Sequence, residues 1–170
     1  TLLRRSAIVA AAARALGLAD DGIEDIDPAS LPPRDPPTRA VAAAQGTLIL
    51  AVDDHPVNRE VVARQLARLG YCADTAASGA EALRMWRQAR YGLVVTDLHM
   101  PDLDGFELAK AIRAAETQEG RKRAPIVALT AATGAEEVAA CYEAGMDGVL
   151  AKPLPLRGLA EAMRRHLPRA

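Results

Sequence analysis

The chain has 170 residues, half of them apolar, a quarter charged and only 3% aromatic, with a formal net charge of −1. That is the composition of one globular unit with some residues to spare, its core built from Ala, Val, Leu and Ile. It lacks the basic stripe that would follow a phosphate backbone or an anionic membrane, and the aromatic platforms on which bases stack, so nucleic acid and membrane contacts are excluded as main partners.

Residues 1–19 (TLLRRSAIVAAAARALGLA) predict an amphipathic helix. Its longest uncharged run, Ser6 to Ala13, is far too short to span a bilayer, and without an initiating Met the chain is expected to be a fragment of something longer. The stripe of Leu3, Ile8, Ala12 and Leu16 repeats that of Leu154, Leu159, Met163 and Leu167 near the C-terminus. Either residues 1–16 end a preceding domain of the same kind, with Thr1-Leu2 in place of its Lys-Pro, or two Ala-rich helices share a pattern by chance. Residues 20–46 are rich in Pro, Asp and Ala without a sustained apolar period, and predict a semi-extended, solvated linker outside any core.

From residue 47 to 170 short apolar runs alternate with helical periodicity in five strand-helix units: LILAV, PVNREVVARQLARLG, CADTAA, GAEALRMWRQA, LVVTD, GFELAKAIRAAE, PIVALTA, AEEVAACYEAG, GVLA and LPLRGLAEAMRRHL. Right-handed crossovers then require a doubly wound parallel α/β sheet covered on both faces. Pro56 suits the first turn of a helix, Ser78 its N-cap, and Gly70 and Gly145 its end. Cys72 and Cys141 lack metal-ligand or C-x-x-C spacing and read as small buried residues in a reducing, cytoplasmic compartment.

Function in such a sheet gathers at the carboxyl ends of the strands. There the first strand ends in Asp53-Asp54, the third in Asp97, the fourth in Thr130 and the fifth in Ala151-Lys152-Pro153. Each alone has an ordinary explanation as a cap, a turn residue or a solvated charge. Together, three carboxylates at one rim repel one another unless a cation relieves them, and a hard divalent ion such as Mg²⁺ does so while keeping positions for phosphate oxygens. With Lys152 as a point charge and Thr130 as a hydroxyl donor, the set suits a phosphoryl group carried on Asp97.

The motifs VDDHPVNREVVARQL, VVTDLHMPDLDGFEL, IVALTA and AGMDGVLAKPL stand in the order found in receiver domains of two-component signalling, which residues 47–168 resemble. The resemblance implies a flavodoxin-like (βα)5 fold with strand order 2-1-3-4-5. It implies Asp97 as phosphoacceptor, Asp54 as direct metal ligand, Asp53 acting through water and the backbone carbonyl of His99 completing a site for Mg²⁺, or Mn²⁺. Thr130 and the backbone N–H of Ala131 would hold phosphoryl oxygens, Lys152 would pair with them, and Lys152-Pro153 would be cis. Val149 departs from the family pattern, which often has Tyr or Phe there as a rotameric switch. DDHPVNRE and AGMDGVLAKP look most like receivers of hybrid sensor histidine kinases of the virulence-sensor type. Such receivers take phosphoryl from a kinase's phosphohistidine domain and pass it to a histidine phosphotransfer domain. The docking surface implied is Pro56, Val57, Asn58 and Val61 with Pro153 and Leu154.

Two other readings compete. A phospho-independent pseudo-receiver would have no use for the complete set of acidic, hydroxyl and lysine groups. A phosphohydrolase of the haloacid dehalogenase type would carry D-x-D on the first strand and a cap domain, neither of which is here. No glycine-rich phosphate loop follows the first strand, which excludes a nucleotide site of that kind.

Overall fold

The computed structural model describes residues 35–132 and 134–167. The predicted helix over 1–19, its echo of the last helix and most of the predicted linker lie outside them.

The three central strands, β1 (Ile49–Val52), β3 (Leu93–Asp97) and β4 (Ile126–Thr130), are buried at every position, which is why they read as unbroken apolar runs. The edge strands β2 (Ala73–Ala76) and β5 (Gly148–Ala151) are more open. All pair in parallel in the order β2-β1-β3-β4-β5. Alternate residues feed two cores. Leu50, Val52, Val94, Ile126 and Ala128 face one side, closed by α3 (Gly79–Gln88), α4 (Gly105–Glu119) and α5 (Ala135–Glu143). Ile49, Ala51, Leu93, Val95, Val127 and Leu129 face the other, closed by α2 (Pro56–Arg68) and α6 (Leu156–His166). The expected helix signals operate: Pro56 occupies the first turn of α2, the Ser78 hydroxyl accepts from Glu81 N–H, and Gly70 and Gly145 take positive φ. Cys141 is buried and Cys72 half-buried, and both are free thiols. Among the described residues no helix is long and apolar enough to cross a membrane.

One stretch departs from expectation. Residues placed in the linker form α1 (Arg39–Gln45), capped by Thr38 and closed by Gly46 at positive φ, with Ala42 fully buried in the first core. Tertiary contacts hold it there. Arg39 Nε donates to both Asp74 carboxylate oxygens at 2.9 and 3.0 Å, and the Tyr91 hydroxyl donates to Asp74 at 2.7 Å. The turn after α1 runs so close to Gly92 that a Cβ there would lie 1.9 Å from the Gly46 carbonyl oxygen, leaving room only for glycine.

Burial, helped by Asp74, pushes the Tyr91 phenol up to about 12. An unfolded phenol loses its proton near pH 10 while the folded one keeps it, so this contribution is full below pH 10 and falls as pH rises toward 12, by about 1.4 kcal/mol per pH unit. Tyr91→Phe is therefore expected to flatten the alkaline loss of stability, read from urea midpoints on either side of pH 10. Parallel curves for the two proteins would contradict the assignment.

Candidate functional site

Parallel pairing sets the site. Val52 is level with Thr96, so Asp53 follows beside Asp97; Asp97 is level with Leu129, and Thr130 with Ala151, so Lys152 emerges one step later on the same rim. Asp53, Asp54 and Asp97 each offer a carboxylate oxygen within 4.8 Å of the others, with Asp53 and Asp97 buried and Asp54 exposed.

Lys152 lies between the two buried acids, its Nζ 3.1 Å from Asp53 Oδ2 and 3.2 Å from Asp97 Oδ1. Burial alone would lower its pKa, but the hydrogen bond to Asp53 and the charges of Asp97 and Asp53 outweigh this and hold the ammonium above its ordinary range. Asp53 Oδ1 also accepts from the backbone N–H of His55 at 2.9 Å and from the Asn58 amide at 3.3 Å. Arg59 donates to the carbonyls of Asp53 and Asp54 at 2.8 and 3.0 Å, tying the acidic turn to α2. Asp97 Oδ1 accepts from His99 N–H at 3.5 Å, and Lys152-Pro153 is cis.

Three carboxylates against one ammonium leave the rim net negative. Clustered oxygen donors with one exposed member fit a hard divalent cation that retains some of its own waters. The loop from His99 to Asp104 leads into α4 through a capping box: Asp104 Oδ1 accepts from Glu107 N–H at 2.8 Å, and the Glu107 carboxylate accepts from Asp104 N–H at 3.0 Å. The second acidic cluster of the DLDG turn thus starts a helix. Gly105 then packs directly against the end of β3, where a Cβ would lie 2.4 Å from the Asp97 carbonyl oxygen.

Thr130 is fully buried at the end of β4, its Oγ1 2.8 Å from the Ala132 carbonyl and 3.1 Å from Glu137 Oε2, while Ala132 N–H donates to it at 3.0 Å. Ala131 is exposed beside it. Glu137, in the first turn of α5, also meets His99 Nε2 at 3.0 Å through Oε1. Sequence reasoning passed over Glu137, because an acidic residue in a first helical turn is explained by the helix dipole alone.

Of the residues expected to dock a partner, Val57 and Val61 are exposed large apolar side chains, 58% and 46% accessible, while the neighbouring Val62 is the buried one. Pro56 and Pro153 are exposed, and Leu154 packs against the second core. Gln65 donates to the Leu154 carbonyl at 3.0 Å, which brings the loop after Lys152 against α2. Asn58 turns instead toward Asp53. Val149 packs partly buried against the first core.

Residues 49–164 match the family model of the response regulator receiver domain. The sensor histidine kinase RcsC of Escherichia coli K12 is 38% identical over 148 residues, covering 86% of this chain and 15% of that protein. The virulence sensor protein BvgS of Bordetella pertussis is 39% identical over 142 residues, 79% of this chain and 12% of that protein. The chain therefore spans about an eighth of the length of these relatives. Among solved structures, the receiver domain of a sensor histidine kinase from Pseudomonas aeruginosa, with a magnesium ion coordinated in its active-site cleft, superposes with a TM-score of 0.62 at 39% identity, covering 71% of this chain and 97% of that one. A chain of the Saccharomyces cerevisiae co-crystal of the phosphotransfer protein Ypd1 with the receiver domain of Ssk1 gives a TM-score of 0.66 at 26% identity, covering 80% of this chain and 90% of that one.

Proposed function

The chain belongs to the response regulator receiver family, and from that premise we propose that Asp97 accepts a phosphoryl group from a phosphohistidine and passes it to a histidine phosphotransfer domain. The observation that carries this reading is the seating of Asp97 at the tip of a central strand, within 4.8 Å of two further carboxylates and 3.2 Å from Lys152. A carboxylate oxygen of Asp97 attacks phosphorus in line, the P–N bond breaks, its electron pair stays on the imidazole nitrogen, and an acyl phosphate results. Lys152 balances charge on one phosphoryl oxygen, while the Thr130 hydroxyl and the Ala131 N–H donate to others. Asp53, Asp54, Asp97 and the His99 carbonyl would hold Mg²⁺, or Mn²⁺, which supplies neutralisation of the phosphoryl oxygens. The stiff parallel strand keeps the nucleophile placed, which is most of what phosphoryl transfer asks of a protein.

The donor is a kinase's phosphohistidine domain, and the parent is a cytoplasmic or membrane-anchored hybrid sensor kinase whose receiver lies in the cytoplasm. Sensor kinases among the relatives support this. The exposed Val57 and Val61 beside the acidic rim, with Pro56, Asn58, Pro153 and Leu154, form the surface for the phosphotransfer partner, and the Ypd1 co-crystal with a related receiver supports a partner of that class.

Incubation with acetyl phosphate is expected to give a single phosphate adduct by intact mass, dependent on Mg²⁺ and removed by hydroxylamine. A protein that stays unmodified with acetyl phosphate and with a purified phosphorylated kinase would overturn the reading in favour of a phospho-independent interaction module.

A further inference from the structure

We propose that Glu137 is a positioning residue that holds the Thr130 hydroxyl on the α5 side, so that a phosphoryl group on Asp97 gains that hydroxyl only by displacing the Glu137 carboxylate. The inference rests on the phosphoacceptor reading and adds to it a residue that opposes phosphoryl binding.

A threonine hydroxyl has one proton to donate. In this structure it is directed to acceptors on the α5 side, the Ala132 carbonyl at 2.8 Å and Glu137 Oε2 at 3.1 Å. To donate to a phosphoryl oxygen on Asp97, Thr130 must give up both. Glu137 is held at its other oxygen by His99 Nε2 at 3.0 Å, and His99 lies two residues beyond the acceptor. One side chain thus bridges the loop after β3 and the loop after β4. A phosphoryl group entering between those loops competes with Glu137 for the Thr130 proton and adds negative charge beside the carboxylate, so both effects drive Glu137 away.

The test titrates beryllium fluoride, a phosphoryl mimic, at saturating Mg²⁺ into wild type, Glu137→Ala, Glu137→Gln, Thr130→Ala and the double variant Thr130→Ala/Glu137→Ala, following heat by calorimetry. Glu137→Ala is expected to bind the mimic about three- to tenfold more tightly, the factor that one net hydrogen bond is worth. Its Mg²⁺ affinity without fluoride should not change. Glu137→Gln, which keeps an acceptor without the charge, should fall between Ala and wild type, and it carries the comparison if the Ala variant does not fold. In the Thr130→Ala background the gain should shrink to the part that comes from removing the Glu137 charge alone. Unchanged or weaker binding by the folded Glu137 variants, or an equal gain without the Thr130 hydroxyl, overturns the proposal. A wild type that takes neither beryllium fluoride nor phosphate from acetyl phosphate sinks the phosphoacceptor reading and this inference with it; a wild type that takes both while the Glu137 variants match it sinks only the inference.

Discussion

Asp97→Asn is expected to abolish phosphorylation by acetyl phosphate while leaving the fold intact, because the amide lacks the anionic oxygen that forms the acyl phosphate. The same variant should be as stable as wild type or slightly more so in metal-free buffer. Asp97 has repulsive neighbours in Asp53 and Asp54, within 4.8 Å, and one attractive neighbour in Lys152, at 3.2 Å. Removing its charge lets Lys152 serve Asp53 alone, and the net relief is on the order of 1 kcal/mol after solvent screening. Adding Mg²⁺ should reverse the order, since wild type keeps all its ligands and gains more from binding. Thermal melts with and without Mg²⁺, alongside intact mass, check both parts. Full labelling of the Asn variant would show that another residue is the acceptor.

Lys152→Ala should slow phosphorylation by about a hundredfold, the usual cost of removing one preorganised charge from a phosphoryl or oxyanion site. Mg²⁺ affinity should be unchanged or tighter, because the ammonium and the metal compete for Asp53 and Asp97. This distinguishes it from Asp97→Asn, in which metal binding weakens. Without metal the variant should lose about 1–2 kcal/mol, less than a wholly buried pair would cost, since the Lys152 side chain is a quarter exposed. Because the folded ammonium titrates above its ordinary 10.5, the pair's contribution is complete below that pH and is lost only as pH rises through the folded value. Wild type and variant should therefore converge in stability at strongly alkaline pH. A variant with sharply weakened Mg²⁺ binding would assign Lys152 to holding the acidic turn in shape instead.

The rim was legible because its members are punctuation in a strong pattern. Asp53, Asp97 and Thr130 each interrupt an apolar run, and burial of β1, β3 and β4 at every position is what makes those runs continuous. Helix α1 was not legible, although Thr38 and Gly46 flank it with ordinary cap chemistry. A run of seven residues dominated by alanine shows no stripe, and too short a helix does not persist without packing. Its supports, Asp74 and Tyr91, lie far along the chain. Glu137 and Arg59 escaped notice for a related reason: each looks like an ordinary helix charge until the loop it holds is placed beside it.

Local periodicity by itself determined the alternation of parallel strands and helices, and with it the set Asp53, Asp54, Asp97, Thr130 and Lys152, because a parallel sheet delivers the carboxyl end of every strand to one edge. Only the tertiary structure decided which partner each of these groups takes: Lys152 shared between Asp53 and Asp97, Thr130 turned to Glu137, Asn58 drawn to Asp53 and away from the face expected to dock a partner. Those choices rest on separations of a few ångströms between groups carried by different elements, 99 residues apart for Lys152 and Asp53. Hydrogen bonds and ion pairs depend steeply on such distances, and apolar periodicity carries no information about them.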